Sequence, residues 1–306
     1  MTPLWGIDLG GTKVEAAVVD ADDQYRSIIR RRVPTERVHG YPHILGQITK
    51  LIEQVQAESG LRPERIGIGT PGAIDPDTRQ MKNSNTTVLN GQPLREDLEA
   101  RLGVPLVMAN DANCFALAEA LLGAVPEQVP EAKVVFGVIM GTGVGGGIVV
   151  NGQVLPGRHG IAGEWGHNFL DESGGSSYSG LHGNVETILA GPSLERWYAS
   201  QSGQARKLPE IVARYEAGHD PHAQATMERL LHFFGKALGP IVNILDPDAI
   251  VLGGGVSNLD LLYTQGPASV EKFVFNPVLK TPILRPKLGD SAGVFGAAML
   301  VRGGNS

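Results

Sequence analysis

Asp8-Leu9-Gly10-Gly11-Thr12-Lys13 stands between two short apolar runs, Leu4 to Leu9 and Val14 to Asp20. The same order returns as Val134 to Met140, Gly141-Thr142-Gly143 and Gly146 to Val150. The tips align Gly11-Thr12 onto Gly141-Thr142, 130 positions apart. Strand, glycine-rich tip, strand is the pattern of a β-hairpin. Its return at domain length, far above the roughly 20 to 50 residues of solenoid repeats, predicts a duplicated domain. The 41 glycines gather in such clusters instead of spreading as a linker would, and clustered glycine marks tight turns or close backbone approach.

The first half continues with a helix over Ile44 to Glu58, a strand over Arg65 to Gly69 and a helix over Leu94 to Leu102. A strand over Pro105 to Ala109 and a helix over Ala112 to Gly123 complete it. The second half adds a long helix over Ala223 to Leu245, a strand over Ala249 to Leu252 and a turn at Gly253-Gly254-Gly255 leading into Asn258. Gly123 to Lys133, with two prolines and two acids, is the expected linker. An α/β fold of two halves around a hinged cleft is the expectation. The domains are expected at residues 1–118 and 119–289, with 290–306 packing back on the first.

Composition excludes several function classes. With 26 Lys+Arg against 32 Asp+Glu, the net charge of −6 leaves no electrostatic footprint for nucleic acid or an anionic membrane. No apolar run nears the roughly 20 residues a spanning helix needs, and Met1 to Gly11 lacks the order of a signal peptide, so a cytoplasmic protein is expected. The single cysteine, Cys114, cannot close an internal disulfide or supply a Cys-based metal site.

Taken singly, the cluster at Gly10 to Lys13 reads equally well as a plain turn. Phosphate binding needs bare amides with a hydroxyl or cation nearby, which Thr12 and Lys13 offer. Three such loops at the ends of apolar strands, residues 10–13, 141–147 and 253–255, point to phosphate. Neither GxxxxGK[ST] nor GxGxxG fits the first cluster. Asn110-Asp111-Ala112-Asn113 lies where a strand gives way to a helix. A lone Asn or Asp there would be a helix cap, but two Asn flanking an Asp exceed what a cap requires. A carboxylate so placed could take a proton from an attacking hydroxyl.

These segments, with Gly163-Glu164-Trp165-Gly166-His167, resemble the ROK family (repressor, open reading frame, kinase) of the actin-like ATPase superfamily across essentially the whole chain. Within it, Asn83 to Gly91, Asn113 to Ala116, Asn243 to Asp248 and Lys272 to Phe275 most resemble bacterial fructokinases of the manno(fructo)kinase type, with N-acetylglucosamine kinases next. The resemblance implies two ribonuclease-H-like domains and transfer of the ATP γ-phosphate to a hexose hydroxyl. Fructose or mannose at the 6-position is expected, with N-acetylglucosamine kinase or glucokinase as alternatives. It implies Asp111 as general base and Asn110, Gly72, Asn85, Glu164, His167 and Glu186 as sugar ligands. Gly10, Gly11, Thr12, Lys13, Gly141, Thr142 and Gly143 would cradle phosphates, Gly254, Gly255 and Asn258 would line the adenosine end, and Asp8 would sit near Mg²⁺ through water. A homodimer is expected. A ROK repressor would carry a DNA-binding module ahead of the first loop, and with that loop at Asp8 the repressor reading is disfavoured.

One departure stands out. Typical members follow the His of the ExGH motif with three cysteines that complete a zinc site. The positions counted from His167 here hold Ser177, Ser179 and Asn184, with Glu186 at its expected offset. No structural zinc is expected, and Gly180 and Gly183 are expected to preserve the loop's shape.

Overall fold

Hairpin-forming runs open each half of the computed structural model, which describes residues 1–177 and 180–302. Strands β1 (Pro3–Leu9), β2 (Lys13–Asp20) and β3 (Arg26–Pro34) precede α1 (Tyr41–Ser59). Next come β4 (Ile66–Thr70), the pair β5 (Ala73–Ile74) and β6 (Met81–Lys82), α2 (Leu94–Leu102), β7 (Leu106–Asn110), α3 (Asp111–Leu121) and α4 (Ala124–Gln128). The second half runs β8 (Val134–Met140), β9 (Val144–Val150), β10 (Gln153–Val154), α5 (Val185–Leu189), α6 (Gly191–Ser202), α7 (Leu208–Glu216) and α8 (Pro221–Leu245). It ends with β11 (Ala249–Gly253), α9 (Leu261–Thr264), α10 (Gly266–Glu271), β12 (Ile283–Leu284) and α11 (Ala292–Met299).

Two five-stranded sheets carry one topology: β3-β2-β1-β4-β7 and β10-β9-β8-β11-β12. In the first, β1–β2 and β2–β3 are antiparallel, whereas β1–β4 and β4–β7 are parallel. Third strand, second, first, fourth, fifth is the order in both, as a duplicated domain requires. The chain divides into two compact units, Met1–Pro126 with Gly147–Ala162 and Lys287–Ser306, and Glu127–Gly146 with Gly163–Pro286.

In the first unit α1 buries Ile44, Ile48, Leu51, Ile52 and Val55 against the sheet. Each such side chain contributes roughly 1.5–3 kcal/mol. The helix starts with a proline in its first turn and stops at Gly60 in the left-handed conformation. Helix α11 packs so closely on β1 and β4 that a Cβ at Gly6 or Gly67 would collide with the backbone of Val294 or Ala297. In the second unit the 25-residue α8 starts at Asp220, whose side chain accepts from His222 and Ala223 N–H, and buries Met227, Leu230, Phe234 and Leu238.

Two sequence expectations change. Strand β3 is hidden by four arginines; it is an edge strand paired to β2 alone, so its surface stays wet and charged. Arg30 and Arg32 neutralise Glu15, a fully buried carboxylate on β2. The segment Gly123–Lys133, read as a linker, carries α4 and buries Ala124 and Val125, because the Ala124 N–H donates to the buried Glu119 carboxylate.

Candidate active site

Strand register places the first unit's candidate residues. The parallel pairings set Asp8 beside Gly69 and Thr70 beside Asn110, so Leu9, Thr70 and Asn110 end three strands at one sheet edge. That edge is where open α/β sheets bind ligands. Asn110 caps α3 by accepting from Asn113 N–H (2.8 Å), and Asp111, the helix's first residue, accepts from Ala112 N–H (2.8 Å). The Asp111 side chain is open to solvent, yet protein around it pushes its carboxyl above the ordinary range. A carboxylate with a raised pKa is a better base near neutral pH.

Thr70 Oγ1 donates to Gly72 O (2.8 Å), and Asn85 N–H donates to Pro71 O (3.3 Å). A Cβ at Gly72 would lie 2.8 Å from Ser84 Cα, so Gly72 permits the close approach that brings the loop of Asn85 beside the end of β4. Burial pushes Asp8 up to about 6, with Asp111 and Glu15 adding to the effect and Lys13 and Arg32 opposing it. Two carboxylates in one field fit an oxygen-seeking cation such as Mg²⁺, which keeps several waters and needs few protein ligands.

The hairpin tip is closed by Gly10 N–H donating to Lys13 O (2.9 Å). Thr35, fully buried, pins the next segment to this tip: its N–H donates to Thr12 O (3.0 Å) and its hydroxyl to Gly10 O (2.7 Å). Cys114 is buried and its thiol is pushed well up by burial, which leaves it inert.

In the second unit β8 and β11 lie parallel with Ile139 beside Gly253, so Gly141 and Gly254 leave from one sheet edge. A Cβ at Gly141 would lie 3.8 Å from Gly255 N, which sets the two glycine loops side by side. Gly254 is obligatory, with a φ of +83° and no room for a Cβ against Met140. Asn258 ends the single turn Gly255–Asn258 that follows.

Val144 ties the three expected sugar ligands of this unit together. Its N–H donates to Glu186 Oε2 (3.0 Å), and its carbonyl packs so closely on Gly166 that any side chain there would collide. Trp165 Nε1 donates to Gly145 O (2.8 Å), which docks the turn Trp165–His167 on β9. Glu164 Oε2 and His167 Nε2 lie 3.9 Å apart. Thr142 sits within the same tip, and a Cβ at Gly143 would meet the Glu186 carboxylate at 2.5 Å.

The loop before Glu186 does not fit zinc. Asn184 is fully buried and its side-chain oxygen accepts from Thr187 N–H (3.1 Å); Ser177 N–H donates to Leu181 O (2.8 Å). Ser179 lies outside the described residues. His182 Nε2 rests 3.0 Å from Glu172 O, and among the described residues no group of three or more His, Cys, Asp or Glu could hold a metal. Neutral oxygens are poor zinc ligands. The loop is tied instead by Lys236 Nζ on Asp171 (2.9 Å), by Arg229 Nη2 on Ser173 Oγ (2.8 Å), and by Gly183 O accepting from both Leu170 and Asp171 N–H. The Ser173 hydroxyl and Lys236 hold the Asp171 carboxyl well below the usual range.

Sequence reasoning missed two residues that fix the local structure, Thr35 and Glu119. Neither belongs to a motif, and both act through backbone groups distant in sequence.

A family model described as the ROK family matches residues 4–303. The N-acetyl-D-glucosamine kinase of Vibrio vulnificus (strain YJ016) is 35% identical over 306 residues, 97% of this chain and 98% of its own length. That of Escherichia coli O139:H28 (strain E24377A / ETEC) is 36% identical over 307 residues at the same coverages. Among solved structures, a ROK hexokinase from Thermus thermophilus matches with a TM-score of 0.86 at 31% identity, covering 98% of this chain and 97% of that one. A ROK family glucokinase from Streptomyces griseus, in complex with glucose and AMPPNP, matches at 0.77 and 28%, covering 99% and 100%. Among the described residues no helix is long and apolar enough to cross a membrane.

Proposed function

From the chain's membership of the ROK family, as an ATP-dependent sugar kinase of actin-like ATPase fold, we propose that its acceptor is N-acetylglucosamine and that Asp111 is the general base. What carries the acceptor is the 35–36% identity to N-acetylglucosamine kinases along 97% of the chain. Fructose, which the motif resemblance places first, has less support. Glucose is the second reading, favoured by the likeness to a hexokinase and to a glucokinase solved with glucose.

In this reading Asp111 accepts the proton of the sugar hydroxyl as that oxygen attacks the γ-phosphorus in line. General-base help of this kind is worth about 10²- to 10⁴-fold. The reading assigns Asn110, Gly72, Asn85, Glu164, His167 and Glu186 to the sugar, Gly10 to Lys13 and Gly141 to Gly143 to phosphates, and Gly254, Gly255 and Asn258 to the nucleoside. Mg²⁺, held by the phosphates and by Asp8 through water, would neutralise charge on the transferred group. The loop of Asp171 to Asn184 orders Glu186 without zinc. The reading extends to a cytoplasmic homodimer. An ATP-coupled assay of N-acetylglucosamine, glucose, fructose, mannose and N-acetylmannosamine with purified protein tests it: the highest kcat/KM is expected for N-acetylglucosamine. A preference for any unacetylated hexose overturns that acceptor.

A further inference from the structure

Behind the pinned Thr35, Glu36 adopts a left-handed backbone (φ 49°) that turns the chain sharply into the single turn Arg37–His39. The turn sends Arg37 back over the first glycine tip. A Cβ at Gly11 would lie 3.3 Å from Arg37 Nη1 and 3.4 Å from Thr86 Oγ1. Thr86 is buried and follows Asn85, a proposed sugar ligand, so Arg37 and the sugar loop flank the same tip. The adjacent carboxylate does not neutralise the arginine: Glu36 Oε2 faces His43 Nε2 (2.7 Å) and Gln47 Nε2 (3.4 Å). Among the described residues Arg37 makes no ion pair, and it is not among the charges that act on Asp8. A guanidinium held over a phosphate-type loop without a carboxylate partner is a site for an external anion.

We infer that Arg37 is a catalytic residue that holds the phosphoryl group in transfer by donating to its non-bridging oxygens. The inference rests on the assignment of Gly10 to Lys13 to phosphates. In the reaction the sugar oxygen forms its bond to the γ-phosphorus and the bond from that phosphorus to the β,γ-bridging oxygen breaks. ADP keeps the electron pair, and the hydroxyl proton passes to Asp111. Charge spreads over the three peripheral oxygens meanwhile, and a bidentate arginine answers it best. Lys13 and the loop amides serve the nucleotide whether or not the γ-phosphoryl is present, whereas Arg37 acts on the group that moves.

The test is binding as well as turnover, with Arg37→Met and Arg37→Lys in the full chain. Arg37 is exposed, so both variants should fold. Calorimetric titration of Arg37→Met should weaken AMPPNP about tenfold while ADP changes less than twofold, and kcat should fall on the order of 10²-fold or more. Arg37→Lys should recover part of the AMPPNP affinity but little of kcat, since a point charge replaces the fork. Equal weakening of ADP and AMPPNP, or no change in either, overturns the inference. The AMPPNP-to-ADP ratio is read without turnover. A wild-type protein that phosphorylates none of the hexoses yet shows the Arg37-dependent ratio would therefore overturn the sugar reading while supporting this one.

Discussion

Asp8→Asn should stabilise the metal-free protein while impairing the enzyme. Burial, Asp111 and Glu15 raise the Asp8 carboxyl from 3.8 to about 6 against the opposing pull of Lys13 and Arg32. Between those values the unfolded chain has lost the proton and the folded chain keeps it. The folded state then binds more protons, so stability falls as pH rises from about 4 to about 6 and levels off above that. At 1.36 kcal/mol per pH unit, the rise corresponds to a ceiling of about 3 kcal/mol, since part of the side chain touches water. The amide keeps the shape and never ionises. The variant should therefore match wild type near pH 4 and exceed it by up to about 3 kcal/mol at pH 8, with Tm higher by on the order of 5 °C. Urea denaturation of both proteins in EDTA, at pH 4.5, 6 and 8, reads the difference directly. A variant no more stable than wild type at pH 8, or a difference that does not grow with pH, would refute the account of Asp8 as a carboxylate held against its own charge. Added Mg²⁺ should narrow the gap, because the cation removes the repulsion that the asparagine removes covalently.

Asp111→Asn should retain the fold and sugar affinity, because the amide oxygen can still accept from Ala112 N–H, while kcat falls at least about 10²-fold; retention of more than about a tenth of kcat removes Asp111 as the base. Glu164→Ala should raise sugar KM about tenfold or more and leave ATP KM nearly unchanged, and equal effects on both substrates would take Glu164 out of the sugar site. Elemental analysis of the purified, tag-free enzyme should find no stoichiometric zinc; metal that survives dialysis at one per chain overturns the zinc-free loop.

How much of this was legible in the sequence depends on how local each signal is. The hairpin of β1 and β2, helix α2 and strand β8 follow from periodicity and punctuation inside one window, and their bounds agree within a residue or two. Strand β3 fails because two of its four arginines, Arg30 and Arg32, answer the buried Glu15 of the partner strand and Arg31 answers Glu58, partners that no short window contains. Asn110-Asp111 is legible as a strand end. Its neighbourhood is not: the pairing of Thr70 with Asn110 places Gly72 and Asn85 beside it, and register across parallel strands is set by packing far along the chain. The junction at Val144, which gathers Glu186, Gly166 and Trp165, is likewise a tertiary fact carried by backbone groups that every sequence possesses.

The glycines separate into kinds once the space around each is known, and this separation argues for a ligand independently of any resemblance. Gly60 and Gly103 end helices with positive φ, so conformation requires them. Gly6, Gly67 and Gly296 have ordinary φ but would drive a Cβ into another element's backbone, so packing requires them. Gly141 and Gly255 meet neither demand: neither has positive φ, a Cβ at Gly141 would find ordinary contact distances, and one at Gly255 would find open space. Gly46 shares that freedom, but within α1, where it lines no strand end. A residue that loses more backbone entropy on folding than any other, kept at adjacent strand ends where the fold gives it no steric reason, is explained by something outside the chain that must reach the bare amides. Phosphate is the chemistry that bare amides at such an edge serve best. The same physical test that assigns Gly6 and Gly67 to the core thus supports the proposal that the tips at Gly141 and Gly255 face the nucleotide.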